Sequence, residues 1–113
     1  MQIEIVCKNG TLRPNGIEHI EEKSNKLLTI FERLTAVTVT VVFEPGRVDV
    51  SLQVSAEHRK DFVAHAEDES VFAAFANALH KIEQQLRRYK ERIQDHRRDT
   101  SAGELPAEVT NVA

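Results

Sequence analysis

Cysteine and tryptophan are scarce in this chain of 113 residues, which contains one cysteine, Cys7, and no tryptophan. A single cysteine excludes an intrachain disulfide and favours a reducing compartment. No apolar run approaches the ~20 residues that a transmembrane helix requires, and the N-terminal stretch is too short and too charged for a signal peptide. We therefore expect one cytoplasmic domain with no membrane partner.

Catalytic motifs are also missing from the sequence. It contains no nucleophile elbow, no phosphate-binding loop and no glycine-rich dinucleotide fingerprint. The five histidines lack metal-ligand spacing, and Cys7 falls on the apolar side of an alternating segment, as a small buried hydrophobe would. The acidic run 67–69 fits the charge preference of a helix N-terminus. We predict a non-enzymatic protein with no catalytic residues, no metal site, no cofactor and no small-molecule substrate.

The hydrophobic pattern alternates between period two and helical spacing. Period two predicts strands near residues 2–8, 35–44, 48–55 and 62–66, the middle pair joined by a Pro-Gly turn at Pro45 and Gly46. Apolar residues spaced three and four apart predict helices from Ile17 to Leu34 and from about Ser70 to Arg98. The order is β-α-β-β-β-α, an α+β fold in which both helices cover one face of a four-stranded sheet and the last three strands form an antiparallel meander.

The last helix and the tail have different compositions. We expect the apolar first half of this helix to pack on the sheet and the stretch His80–Arg98 to project past the core. After Asp99 the sequence loses its periodicity and all its basic residues, which predicts a domain over residues 1–98 and a flexible acidic tail over 99–113.

Charge is unevenly distributed along the chain. The stretch His80–Arg98 holds seven of the 15 basic residues and three acids, although the whole chain has a net charge of −3. Such a helix can be a solvated face with internal ion pairs, such as Glu83 with Arg87 and Glu91 with Arg87 or Arg88. It can also be a surface for phosphate backbones. If the helices lie side by side, one basic surface could contain Lys23, Lys26, Lys81, Arg88 and Arg92. Few aromatic residues are available for base stacking, which favours structured RNA over single strands.

Two segments carry a resemblance to a known family. The segments are EEKSNKLLTIFERL in the first helix and FAAFANALHKIEQQLRRYKERI in the second. Their most specific parts are Lys23-x-x-Lys26-Leu27 and the run of Lys81, Ile82, Gln85, Leu86, Arg88 and Lys90. In this order the chain resembles, over about residues 1–96, the ribosome hibernation-promoting factor and ribosome-associated inhibitor Y family, also known as sigma-54 modulation proteins.

The resemblance implies a fold like that of a double-stranded-RNA-binding domain. It also implies binding to the small ribosomal subunit and its rRNA between head and body, where the protein overlaps mRNA and tRNA and blocks translation in dormancy or stress. Five residues match basic family positions expected to contact rRNA phosphates: Lys23, Lys26, Lys81, Arg88 and Lys90. From charge alone, Arg87 and Arg92 are added to this predicted set.

The chain departs from the family pattern in two places. Where the family has Asp-x-Tyr-x-Ala-Ile-Asp at the start of the second helix, this chain has Ser70-Val71-Phe72-Ala73-Ala74-Phe75-Ala76. Phe72 and Phe75 are expected to keep the packing role, and polar contacts of the lost groups do not carry over. No second, ribosome-pairing domain follows in the sequence, so we do not expect this chain alone to pair ribosomes.

Two other functions remain open from the sequence. A protein-binding regulator of transcription on the same fold would have a protein partner and would be indifferent to rRNA. The substituted start of the second helix favours that alternative. A general duplex-RNA binder would bind arbitrary duplexes, which the acidic remainder of the chain disfavours.

Overall fold

The computed structural model describes residues 1–102, and their side chains except those of Arg59 and residues 95–102. Its elements are β1 Gln2–Lys8, α1 Pro14–Asn25, a 3-10 turn Lys26–Thr29, β2 Leu34–Glu44, β3 Arg47–Ala56, a short 3-10 turn Glu57–Arg59, β4 Lys60–Asp68 and α2 Val71–Ala102. The predicted order β-α-β-β-β-α is confirmed. Among the residues that the structure describes, no helix combines the length and apolarity needed to cross a membrane.

The four strands form one mixed sheet in the order β1-β2-β3-β4. β1 and β2 are parallel, because the chain crosses over the sheet through α1 between them. β2, β3 and β4 form the predicted antiparallel meander. Gly46 has φ +77° in the turn between β2 and β3, as the third position of a type II turn requires.

The sheet has one covered face and one open face, because successive side chains of a strand point to opposite sides. The covered face carries an apolar layer, continuous across the paired strands, which both helices bury: Val37, Val39, Val41, Val50, Leu52, Val54, Phe62, Ala64 and Ala66. The open face carries polar residues such as Thr38, Thr40, Ser51 and Gln53. This arrangement confirms the predicted fold class.

The first helix is shorter than predicted. α1 ends at Asn25, and Leu34, which we expected on the helix, is the first residue of β2. Two contacts end the helical pattern: Thr29 Oγ1 donates to the Lys26 carbonyl at 2.7 Å, and the Ile30 amide turns to the Leu27 carbonyl at 3.0 Å. The spacing misled the prediction because Leu34 is buried in the strand just as it would be on a longer helix.

The second helix packs on the core for longer than predicted. Ile82 and Leu86 are 0% exposed, so the expectation that the whole stretch from His80 projects past the core is wrong. Tyr89 extends this contact, since its ring meets Phe62 at 5.3 Å and Phe31 at 5.5 Å between ring centroids. α2 continues to Ala102. Residues 103–113 of the predicted tail lie outside the described residues, and the domain boundary stays a prediction.

Candidate nucleic-acid interface

One flank of α2 lies along the exposed edge of β4. Lys81 Nζ donates to the His65 carbonyl at 2.8 Å, and Gln85 Nε2 donates to the Val63 carbonyl at 2.9 Å. At ~100° per helical residue, positions seven and eleven residues beyond Lys81 fall on the same flank. Arg88 and Arg92 occupy these positions and are exposed. We call Lys81, Arg88 and Arg92 the β4-side flank.

The opposite flank of α2 lies beside the segment that follows α1. Lys90 borders a groove whose other wall includes Ile30 and Phe31. Arg87 precedes Lys90 by three residues, so it lies on the same side of the helix. We call Arg87 and Lys90 the α1-side flank.

The two predicted lysines of the first helical segment lie on its side nearest to α2. His19 of α1 contacts the Phe72 ring of α2 at 4.9 Å between centroids. Lys23 follows His19 by four residues and therefore shares its side of α1, and Lys26 begins the 3-10 turn directly after that helix. Lys23 is half-buried and Lys26 is exposed.

The structure therefore divides the five predicted residues of α2 between two flanks of that helix. Lys23 and Lys26 lie nearer to the α1-side flank than to the β4-side flank, with which they were predicted to form one basic surface. A partner that contacts all seven residues must lie across the outer surface of both helices. Their role in RNA binding stays a prediction.

Most of these basic side chains are exposed and lack acidic neighbours. Among the described side chains, every ion pair involves Arg47, which meets Glu44 at 2.9 Å, Asp49 at 3.1 Å and Glu67 at 3.7 Å. The hydrogen bond to Asp49 and then the charges of the three carboxylates raise the pKa of Arg47. In that same part of the chain, no carboxylate lies within 4.0 Å of the seven predicted residues. The ion pairs that could have neutralised α2 internally are therefore not formed there.

A cluster of possible metal ligands on the open face of the sheet was not predicted from the sequence. Oxygen or nitrogen atoms of Asp49, His65 and Glu67 lie within 4.8 Å of one another. The cluster arises because Asp49 pairs with Glu67 across the strands and His65 precedes Glu67 by two residues on the same face. The strand pairing and the alternation would have revealed it. Arg47 already supplies a cation to both carboxylates.

Comparison with known proteins identifies the family. The model of the family described as "Sigma 54 modulation protein / S30EA ribosomal protein" matches residues 3–94. The chain belongs to this family. It is 32% identical over 77 residues to the ribosome hibernation promoting factor of Azotobacter vinelandii, an alignment that covers 66% of this chain and 69% of that protein.

Two solved structures share the fold of this family member. A ribosomal subunit interface protein from Coxiella burnetii has a TM-score of 0.74 at 20% identity, covering 80% of this chain and 99% of the other. The N-terminal domain of Thermus thermophilus Protein Y has a TM-score of 0.71 at 19% identity, covering 79% and 99%. At these identities the two structures support the fold alone. All seven predicted residues lie within the family match.

The start of α2, where the chain departs from the expected family motif, has two phenylalanines with different environments. Phe75 is 1% exposed and keeps the expected packing role. Phe72 is 43% exposed, with one edge against His19, so its packing role is only partial. Helical position explains the difference, because Phe75 shares the stripe of Leu79 and Ile82 whereas Phe72 lies at its border.

Proposed function

We propose that the protein is a ribosome-associated translation inhibitor that acts in the cytoplasm during dormancy or stress. It binds the small ribosomal subunit in the channel between head and body and excludes mRNA and tRNA from it. The observation that carries this proposal is the exposed basic surface of α2, free of acidic partners among the described side chains, in a chain of this family.

The proposed contacts are made to phosphates. Lysine and arginine bind phosphate oxygens without reading base identity, so the fit depends on charge and on the shape of folded RNA. The two flanks of α2 offer cations on both sides of one helix, which suits a channel walled by RNA on more than one side. Lys81 can take part while it stays at the β4 edge, because an ammonium has three donors and His65 uses one.

If the protein occupies this channel, it should compete sterically with mRNA and tRNA for the small subunit. Purified protein should co-sediment with small subunits at low salt and leave them as salt rises, since each phosphate contact releases counterions. Subunits saturated with the protein should no longer retain a short mRNA together with an initiator tRNA. Large subunits, treated in the same way, provide the control. If the protein fails to sediment with small subunits at low salt, the proposal is wrong.

A protein-binding regulator of transcription is the second candidate, and Phe72 is the observation that favours it. An exposed aromatic side chain beside His19, at a position where the expected family pattern has tyrosine, resembles an anchor for a protein partner. The two candidates differ in the effect of Phe72→Ser. This change should leave ribosome binding intact under the first and abolish partner capture under the second.

A further inference from the structure

A groove of about 300 Å³ lies between residues 90–94 of α2 and the segment that joins α1 to β2. Its lining comes from two stretches that are distant in sequence: residues 28–33 on one side and Lys90, Ile93 and Gln94 on the other. This volume is at the small end of the range for ligand sites, enough for a single nucleotide but not for a duplex.

The apolar part of the groove, here called its floor, is held in place by aromatic contacts. It consists of the half-buried residues Leu28, Ile30, Phe31 and Ile93, and the rest of the exposed lining is polar. The Phe31 ring meets Tyr89 in an edge-to-face contact at 5.5 Å. Tyr89 in turn meets Phe62 of β4, which ties the floor to the core. The floor is therefore already formed in the unbound protein.

The rim of the groove carries two cations, Arg33 and Lys90, both exposed. Among the described side chains neither has a carboxylate within 4.0 Å. Gln94 and Glu32 add a side-chain amide and a carboxylate that can bond the polar edge of a base. Lys90 also belongs to the α1-side flank, so the groove adjoins that flank. An apolar floor, a polar edge and a cationic rim together match a base with its phosphate.

We infer that this groove binds one unstacked nucleotide of the RNA that the basic surface holds. The base lies on the floor formed by Phe31 and Ile93, and its phosphate lies between Arg33 and Lys90. The inference rests on the proposed RNA-binding function and adds Arg33 to the contacts. It also gives the protein a means to distinguish an RNA with an extruded nucleotide from a regular duplex, whose bases stay stacked.

The experiment follows amide chemical shifts of the full chain during titration with a single-stranded RNA hexamer and, separately, a perfectly paired duplex. The hexamer should shift the amides of residues 28–33 and 90–94, and the duplex should shift the basic flanks without these. Gln94→Trp fills the groove without changing charge and should weaken hexamer binding about tenfold, the effect expected from losing one buried base. Arg33→Ala should weaken it severalfold and reduce its salt dependence.

The matched control is Gln53→Trp, which places the same side chain on the open face of the sheet, away from the groove. The Gln94→Trp variant should bind small subunits more weakly than the Gln53→Trp variant does. Equal binding of the two variants, or a hexamer that leaves the groove amides unshifted, overturns the inference even if the wild type binds small subunits. If the wild type does not bind subunits but the hexamer still shifts the groove, the proposed function fails and the nucleotide site stands.

Two other ligands define the remaining outcomes. Cytidine monophosphate alone should bind far more weakly than the hexamer, and equal affinity would mean a site for free nucleotides, not for RNA. A peptide of residues 103–113, which is acidic and partly apolar, should not displace the hexamer. Displacement by that peptide at comparable concentration would assign the groove to the chain's own tail.

Discussion

The β2–β3 hairpin and α2 both expose basic side chains, but the two regions surround them differently. At the hairpin, Arg47 has three carboxylates within 4.0 Å. Along α2, the basic residues up to Arg92 have none among the described side chains. Both regions are exposed, so neither arrangement contributes much to stability. The difference lies in availability, because a paired guanidinium must leave its partners before it can bind phosphate, and an unpaired one only loses water.

Charge reversal on α2 gives the largest expected effect. Arg88→Glu combined with Lys90→Glu removes one cation from each flank and adds two repulsive charges. We expect small-subunit binding to fall roughly a hundredfold or more at low salt, measured by co-sedimentation. The thermal midpoint should hardly change, because both side chains are exposed.

The control for this pair alters charge equally but elsewhere. Lys8→Glu combined with Arg13→Glu changes two exposed basic residues at the β1 end of the molecule. If this control weakens binding as much as the α2 variant does, net charge and not the α2 surface controls association.

Within the β4-side flank, a comparison of Lys81 with Arg88 distinguishes a contribution to stability from a contribution to subunit binding. Lys81→Met keeps the aliphatic stem but removes the hydrogen bond to the His65 carbonyl, which should cost about 1 kcal/mol in the free energy of unfolding. Arg88→Met removes a cation with no such bond and should leave stability unchanged. In denaturant unfolding, Lys81→Met should therefore be the less stable variant. In subunit binding, Arg88→Met should be the weaker binder. Equal stability of the two would show that the β4 contact contributes nothing to the free energy of unfolding.

The sequence predicted those helices, strands and turns that are determined by residues close together in the chain. Alternation located β2 and β3 because each has one buried and one open face, and Pro45-Gly46 located their turn because only glycine readily takes the φ found there. Steps of three and four residues located α2. The end of α1 was missed because Leu27 and Leu34, seven residues apart, fit a longer helix as well as they fit a turn and a strand.

The site was less predictable, because its contacts join distant parts of the chain. The residue types and their helix could be predicted, but their division between two flanks depends on where α2 lies on the sheet. Lys81 bonds a backbone carbonyl, and a backbone acceptor leaves no side-chain pattern in the sequence. The groove is formed by residues 28–33 and 90–94, whose proximity follows only from the packing of α2 against the segment after α1.

Ser24 is an unpaired polar group in the interior, in contrast to the exposed unpaired cations of α2. Its side chain is 0% exposed, and its hydroxyl has no hydrogen-bond partner in the described part of the chain. Unlike the cations of α2, it cannot turn to water. Ser24→Ala should therefore increase the free energy of unfolding by about 0.5 kcal/mol, measured by denaturant titration, and should not change RNA binding. A loss of stability would indicate that the hydroxyl is hydrogen-bonded in solution.

Removal of Arg47, the basic side chain paired with carboxylates, should have the smallest effect. It tests directly whether such pairing keeps a cation from binding RNA. Arg47→Ala should leave subunit binding unchanged, because this guanidinium is engaged by carboxylates and lies at the hairpin, away from α2. The thermal midpoint should fall slightly at low salt, since Glu44, Asp49 and Glu67 then repel one another, and high salt should erase the difference by screening. Arg47 is charged at every pH below the ordinary pKa of arginine, and its raised pKa extends that range upward. The difference in thermal midpoint should therefore be constant through the neutral range. If Arg47→Ala weakened ribosome binding, pairing would not withdraw a cation from RNA, and the lack of acidic partners on α2 would no longer explain its proposed role.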